Sequence, residues 1–301
     1  MRKIKKIAIL TSGGDAPGMN SAIYGIFKAC KEHNIRPFAY IGGYNGFLDN
    51  NIVELTFDLL NGRINNGGSL IKSGRSNRFL KLSNVKKAIE LYKKNQIDAL
   101  IVIGGNGSIT GAKELVKLGV NVVCLPATID NDLNFNKTLG FDTATNNITN
   151  AVDNILDCLS SFDYGGVVKV MGRECPALIN TVANALHTNF VVTTKDFNIQ
   201  TLVKQILHSR KSANLPTLVL VREDCADVNE LSKILQEKCK FQFRPHILGY
   251  IQRGGKPSAF DRMYGYNAGI MAVNSIIEGK NGIVVGMDKE LVEKSFDQAI
   301  N

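Results

Sequence analysis

The stretch Leu125-Pro126-Ala127-Thr128-Ile129-Asp130-Asn131-Asp132 sets two carboxylates two residues apart, beside a threonine. On extended backbone, residues two apart project to the same side. Asp130 and Asp132 could then divide one task, the first as a general base and the second as an oxygen ligand for a cation. The same residues also make a good polar turn, because Asp and Asn side chains bond their own backbone. Residues 121–125 before them are an apolar run that reads as a buried parallel strand. Pro126, with no N–H to donate, is expected to stop its ladder. In doubly wound sheets ligands bind beyond the carboxyl ends of the strands, where this reading places both aspartates.

Two glycine-rich turns fit anion chemistry. Residues 4–10 read as a strand running into Thr11-Ser12-Gly13-Gly14-Asp15-Ala16-Pro17-Gly18, with a helix from Met19 to about Lys31. Residues 98–103 read as another strand, and Gly104-Gly105-Asn106-Gly107-Ser108 opens the next helix. Strand, glycine turn and helix together aim backbone N–H groups at an anion. One such turn can be a tight βα connection that merely needs glycine; two on one sheet point to a polyphosphate. Neither is a P-loop, since GxxxxGK[ST] occurs nowhere, and the second lacks the spacing of a dinucleotide fingerprint. A further glycine-containing loop, residues 67–75, carries Lys72 and Arg75, with Arg78 just beyond. A solvated loop is the ordinary reading of it, although loops at strand ends also carry function.

The elements that must position these turns alternate. A strand at 36–41, a short strand at 51–55, a helix near 57–65 and a helix capped by Ser83 and reaching Asn95 complete the first part. A long helix, 142–159, follows the aspartate loop. Then come strand 166–170, Met171-Gly172-Arg173, helix 176–187, strand 190–193, helix 198–210, strand 217–221, helix 228–239, strand 245–249, helix 260–279 and a closing strand 282–286. This alternation predicts an α/β fold of two doubly wound parallel-sheet lobes with the active site in the cleft between them.

Bulk properties exclude several classes. With 301 residues, 44% hydrophobic and 21% charged, the chain has the composition of a soluble globular protein. Its net charge of +9 suits an anionic small-molecule ligand. Lys86-Lys87 and Lys93-Lys94 read as a solvated helix face, and no basic stripe is interleaved with aromatics, so no nucleic-acid partner is expected. The six cysteines lack metal-ligand spacing and read as reduced. Residues 7–10 are too short for a signal-peptide core and no run approaches membrane-spanning length, so a cytoplasmic protein without a membrane partner is expected. His33, His187, His208 and His246 show no metal or triad pairing, and no GxSxG elbow is present.

The motif TSGGDAPGMN at residues 11–20, the GGNGS turn, PATIDND, Met171-Gly172-Arg173 and Gly249-Tyr250-Ile251-Gln252-Arg253-Gly254-Gly255 occur in this order. In that combination the chain resembles the ATP-dependent 6-phosphofructokinases of the bacterial type, from residue 4 to about 298. The resemblance implies a glycolytic kinase that moves the ATP γ-phosphoryl group to the 1-hydroxyl of fructose 6-phosphate, with Mg²⁺ as cofactor. It implies a nucleotide-binding lobe of residues 1–140 and 252–301, a sugar-phosphate lobe of 141–251, and a homotetramer with shared active sites. Asp130 is then the base, with Gly13, Thr128 and Arg173 around the transferring group. Gly13, Tyr44, Arg75, Ser76, Gly105, Asn106, Gly107 and Ser108 match nucleotide positions. Thr128, Asp130, Asp132, Met171, Gly172, Arg173, Glu223, Arg244, Tyr250 and Arg253 match sugar-phosphate positions, and Asp132 with Asn106 the metal. Gly107 and Ala127 stand where pyrophosphate users carry aspartate and lysine, which favours ATP.

The chain departs from the pattern at several of these places. Asn106 replaces the metal-site aspartate, Tyr164 an arginine and Tyr250 a histidine that reach the sugar phosphate. Tyr24, Lys28 and Phe57 stand where the family places effector-site arginines, and Asn214 and Pro216 replace further cationic positions, so no allosteric response is expected. The chain also ends before the family's last helical segment. Such changes leave two alternatives open: a catalytically weak nucleotide-binding paralogue acting as a regulatory subunit, or a kinase of another sugar phosphate.

Overall fold

The computed structural model describes residues 3–212 and 216–300. Its elements in chain order are β1 (Lys6–Ser12), α1 (Met19–Glu32), β2 (Arg36–Tyr40), α2 (Gly43–Leu48), β3 (Ile52–Glu54) and α3 (Phe57–Leu60). After an irregular stretch and a 3-10 turn (Asn77–Leu80) come α4 (Leu82–Lys94), β4 (Ala99–Gly104), α5 (Asn106–Lys117), β5 (Val122–Pro126) and α6 (Phe141–Phe162). Next are β6 (Gly165–Val170), α7 (Ala177–Ala185), β7 (Val191–Val192), α8 (Ile199–Ser212), β8 (Leu218–Arg222), α9 (Val228–Cys239) and β9 (Phe243–Ile247). A 3-10 turn (Gly249–Gln252), α10 (Ala259–Ile277), β10 (Ile283–Met287), β11 (Leu291–Ser295) and α11 (Phe296–Ala299) complete it. The chain forms two compact units, residues 1–143 with 253–301, and residues 144–252.

The first unit holds a seven-stranded sheet in the order β11-β10-β5-β4-β1-β2-β3. Strands β4 and β5 are buried along their whole length, as parallel strands covered on both faces must be. Ala8 and Leu10 of β1, Leu100 and Val102 of β4, and Val122 and Cys124 of β5 share one core with Ile89 of α4 and Ile109, Ala112 and Leu115 of α5. Helices α1 and α10 pack on each other, and α10 also on β5. The chain winds outward from β1 to β2 and β3, then returns to place β4 on the other side of β1. That reversal is a topological switch point, and its crevice lies at the carboxyl ends of β1 and β4. Parallel pairing in register brings Ser12 opposite Gly104, so both glycine turns leave the sheet side by side.

The second unit has a four-stranded parallel sheet, β7-β8-β6-β9. It reverses between β6 and β9, whose carboxyl ends carry Met171-Gly172-Arg173 and the Gly249–Gln252 turn.

Several sequence expectations need correction. Pro126 does end the β5 ladder, but as its last paired residue, opposite Gly104, and its carbonyl accepts the Leu139 N–H at 2.9 Å. A proline lacks only the donor, so it can close a ladder while its carbonyl still accepts. Ser83 is not a cap; α4 starts at Leu82, preceded by Lys81 with no side-chain cap. The helix expected at 57–65 stops at Leu60, and Thr56 caps it by accepting the Leu59 N–H at 3.4 Å. The strand expected at 245–249 is Phe243–Ile247. The chain does not close at 286: β11 follows, antiparallel to β10, its mixed composition being that of a half-covered edge strand. Helix α2 follows directly after the strand expected at 36–41, with Gly42 before it at φ +95°. Of the effector positions, Asn214 lies outside the described residues.

The start of α6 is held by a tertiary cap. Asp261, fully buried in α10, accepts the Gly140 N–H at 2.9 Å and the Thr143 N–H at 2.8 Å, and bonds the Thr143 hydroxyl. Ser258 caps α10 and donates to Asp142 at 2.8 Å. Burial outweighs these three donors and raises the Asp261 carboxyl above its ordinary range. Because both its oxygens accept, Asp261→Asn turns an NH₂ toward a backbone N–H. We expect it to lower stability by about 1–3 kcal/mol, read as a shift of the urea midpoint at pH 7.

Candidate active site

The site is assembled on the switch point of the first unit. Gly13 follows β1 with φ of +85°, which glycine adopts without strain. A Cβ added at Gly104 would sit 2.5 Å from both the Ser12 carbonyl and the Ser108 hydroxyl, so only glycine fits there. A Cβ built on Gly13 would stand 3.4 Å from the Ser108 hydroxyl, and one on Gly105 3.4 Å from Cβ of Thr128. The first turn, the amino end of α5 and the aspartate loop are therefore mutual neighbours. Helix α5 has no side-chain cap and no acid in its first turn, which leaves its positive end for an anion. Gly107 is exposed and faces open space.

The aspartate loop is closed like a clasp. The Thr128 N–H donates to the Leu139 carbonyl at 3.1 Å, and the Thr138 hydroxyl donates to the Thr128 carbonyl at 2.6 Å. The turn bonding expected of Asp-Asn-Asp is carried by Asn131, left-handed at φ +53°, whose amide oxygen accepts the Thr138 N–H at 2.8 Å. The Asp130 N–H donates to the Thr128 hydroxyl at 3.2 Å, and Asp130 is 7% exposed. Asp132 lies half-buried on the same loop.

Other expected nucleotide residues surround this core in different roles. Tyr44 is buried, stacks on Phe79 with ring centroids 4.0 Å apart, and donates its hydroxyl to the Ser108 carbonyl at 2.7 Å. It thus props the α5 turn from behind. Ser76 caps the 3-10 turn and donates to Asn45 at 2.6 Å. Asn45 in turn donates to the Arg75 carbonyl at 3.4 Å. The Gly13 N–H donates to the Gly74 carbonyl at 3.1 Å. An anion reaches that N–H only by replacing this bond. Arg253 is ion-paired with Asp15 at 2.7 Å and lies against Gly14.

The second unit carries the remaining residues. Glu223 Oε1 accepts the N–H groups of Gly172 (3.3 Å) and Arg173 (2.8 Å), both at positive φ. Buried Gln252 accepts the Met171 N–H at 2.9 Å. Arg244 lies over the Tyr164 ring at 5.1 Å, and Tyr164 stacks on Phe162. Tyr250 is exposed. Sequence reasoning passed over Asn20, Asn45, Asp15, Gln252 and Asp261. Only Asn20 carried a usable signal, as a polar residue among the apolar positions of α1.

A sequence profile described as phosphofructokinase matches residues 6–276. The chain belongs to the phosphofructokinase family. Among curated members of this family, the ATP-dependent 6-phosphofructokinase of Clostridium botulinum (strain Loch Maree / Type A3) is 38% identical over 301 residues, 99% of this chain and 94% of that one. Its counterpart in Clostridium acetobutylicum is 36% identical with the same coverage. The Pichia pastoris phosphofructokinase, solved in the T-state, superposes with a TM-score of 0.91 at 29% identity. This chain aligns over 99% of its own length and spans 36% of that one.

Among the described residues no group of three or more His, Cys, Asp or Glu could cage a metal. The family's Mg²⁺ still fits, because that ion takes hard oxygen ligands and is often held by one or two carboxylates and the substrate's phosphates. Asp132 and the Asn106 amide, which accepts from Thr110 at 3.5 Å, supply such oxygens. For the second unit, we expect Glu223→Ala to cost about 1–3 kcal/mol in denaturant melts and Glu223→Gln, which keeps the acceptor, distinctly less.

Proposed function

We propose that the chain transfers the γ-phosphoryl group of ATP to the 1-hydroxyl of fructose 6-phosphate, giving ADP and fructose 1,6-bisphosphate. The observation that carries this reading is the convergence of Gly13, the α5 turn and the Thr128–Asp130 loop at one switch point. The near-full-length match to relatives named ATP-dependent 6-phosphofructokinase supports it.

Asp130 takes the proton as the sugar hydroxyl oxygen bonds the γ-phosphorus, and the bond between that phosphorus and the β–γ bridging oxygen breaks. Phosphoryl transfer otherwise rests on positioning and on stabilising charge. The α5 amino end and residues 105–108 receive the phosphates, with Arg75 beside them, while Tyr44 and Ser76 hold the surrounding loops. Thr128 and the Arg173 guanidinium stabilise the transferring group, as does the Gly13 N–H once the Gly74 carbonyl has been exchanged for a phosphate oxygen. Met171, Gly172, Glu223, Arg244, Tyr250 and Arg253 serve the sugar phosphate. Asp132 and Asn106 would hold Mg²⁺, which neutralises phosphate charge. Asn106 contributes an oxygen without charge, so Mg²⁺ binds more weakly than it would to two carboxylates. The working form is a homotetramer in the cytoplasm, with a mass measurable by light scattering.

Purified protein with Mg·ATP and fructose 6-phosphate should release ADP, and Asp130→Asn should cut kcat by about 10²–10⁴-fold. An equal rate in both would refute the role of Asp130. Asn106→Asp should lower the Mg²⁺ concentration giving half-maximal rate by about tenfold, the scale of one added charge-assisted contact. With Tyr24, Lys28 and Phe57 at effector positions, added ADP or phosphoenolpyruvate should leave the sugar-phosphate saturation curve without a cooperative shift.

A further inference from the structure

Residues 61–76 contain no helix or strand, yet this strap ends on the residues that bracket the first glycine turn. Backbone without a ladder must find its hydrogen bonds elsewhere. Here a single side chain supplies several of them. Asn20, fully buried on α1, donates through Nδ2 to the carbonyls of Arg63 (3.2 Å), Asn66 (2.9 Å) and Gly68 (2.9 Å). Its Oδ1 accepts the Leu70 N–H at 2.8 Å. The amide has two hydrogens for three carbonyls, so one is shared.

The strap then continues along a fixed path. The Thr11 hydroxyl bonds the Ser69 hydroxyl at 2.8 Å and donates to the Lys72 carbonyl at 3.1 Å. Ile71 is fully buried, and its carbonyl accepts the Gly42 N–H at 2.9 Å. The Ser73 hydroxyl donates to the Gly13 carbonyl at 3.0 Å, and the Gly74 carbonyl accepts the Gly13 N–H. Gly67 is so close to the Gly255 backbone that a Cβ would stand 1.9 Å from its carbonyl oxygen. Asn20 is thus the side chain through which the helix after the glycine turn grips the strap that lies over that turn.

We infer that Asn20 is a positioning residue for ATP: it orders residues 63–70 and thereby sets Ser73, Gly74 and Arg75 around Gly13. The role requires donors and an acceptor in one short planar group. Asp would face three carbonyls with a carboxylate, and Ala would leave all four backbone groups without this partner. The assignment to ATP rests on the kinase reading proposed above, whereas the ordering of the strap does not.

The test uses the full chain carrying Asn20→Ala, Asn20→Asp or, as a control on the same buried face of α1, Ile26→Ala. Hydrogen exchange is followed by peptide across residues 63–76, β4 and β5, and ATP affinity by equilibrium titration as well as by KM. Both Asn20 variants should exchange at least about tenfold faster in 63–76, with β4 and β5 unchanged, and the Asp variant more so. The Kd and KM for ATP should rise about tenfold, while the KM for fructose 6-phosphate moves less than about twofold. Should Asn20→Ala not fold, Asn20→Ser is judged by the same measures. Unchanged exchange in the strap, or an ATP shift no larger than that of Ile26→Ala, would overturn the inference. If the parent protein turns over no fructose 6-phosphate, the kinase reading falls, and exchange with ATP titration still decides the role of Asn20.

Discussion

The constraint on which the rest of the structure depends is the in-register parallel pairing of β1 with β4. Their strands are consecutive in space but not in sequence, because the chain first winds out through β2 and β3. Setting Ser12 opposite Gly104 makes two loops leave the sheet at one level. Glycine is then required where the loops are closest, since a Cβ at Gly104 would overlap the neighbouring strand's carbonyl. The aspartate loop reaches the same place because β5 pairs with β4 and ends level with it, Pro126 opposite Gly104.

Around this regular frame, irregular backbone is held by buried or half-buried polar side chains. Asn20 serves the 61–76 strap, Asn131 the aspartate loop, Asp261 the start of α6, and Glu223 and Gln252 the turn after β6. Each satisfies groups that a helix or strand would otherwise have satisfied. Removing one leaves several backbone groups unpaired at once, so such residues weigh more than a surface hydrogen bond would.

The engagement of the Gly13 N–H by the Gly74 carbonyl has a related meaning. A donor aimed at a phosphate costs free energy when it is left unpaired. Here a neighbouring carbonyl accepts its hydrogen, and in the proposed reaction a phosphate oxygen would exchange with it. Such an exchange is nearly neutral in hydrogen-bond count, which keeps the site formed while leaving it open to an anion.

Much of this was legible in the order of residues. Mainly apolar runs marked β1, β4, β5, β6 and β8 as strands, because period and apolar content are local properties of composition. The glycine turns and the Asp130 loop stood out for the same reason, as did the family resemblance they jointly form. Strand β11, the true start of α4 and the early end of α3 did not, since each is decided by packing and capping partners remote in sequence. Nor could sequence reveal that Tyr44 stands behind the α5 turn, that Arg253 pairs with Asp15, or that Asn20 holds residues up to fifty positions away. The sequence by itself determined which segments could be strands and which turns could receive an anion. Tertiary structure alone decided which turns meet, because strand order and register are set by long-range pairing that no local pattern encodes.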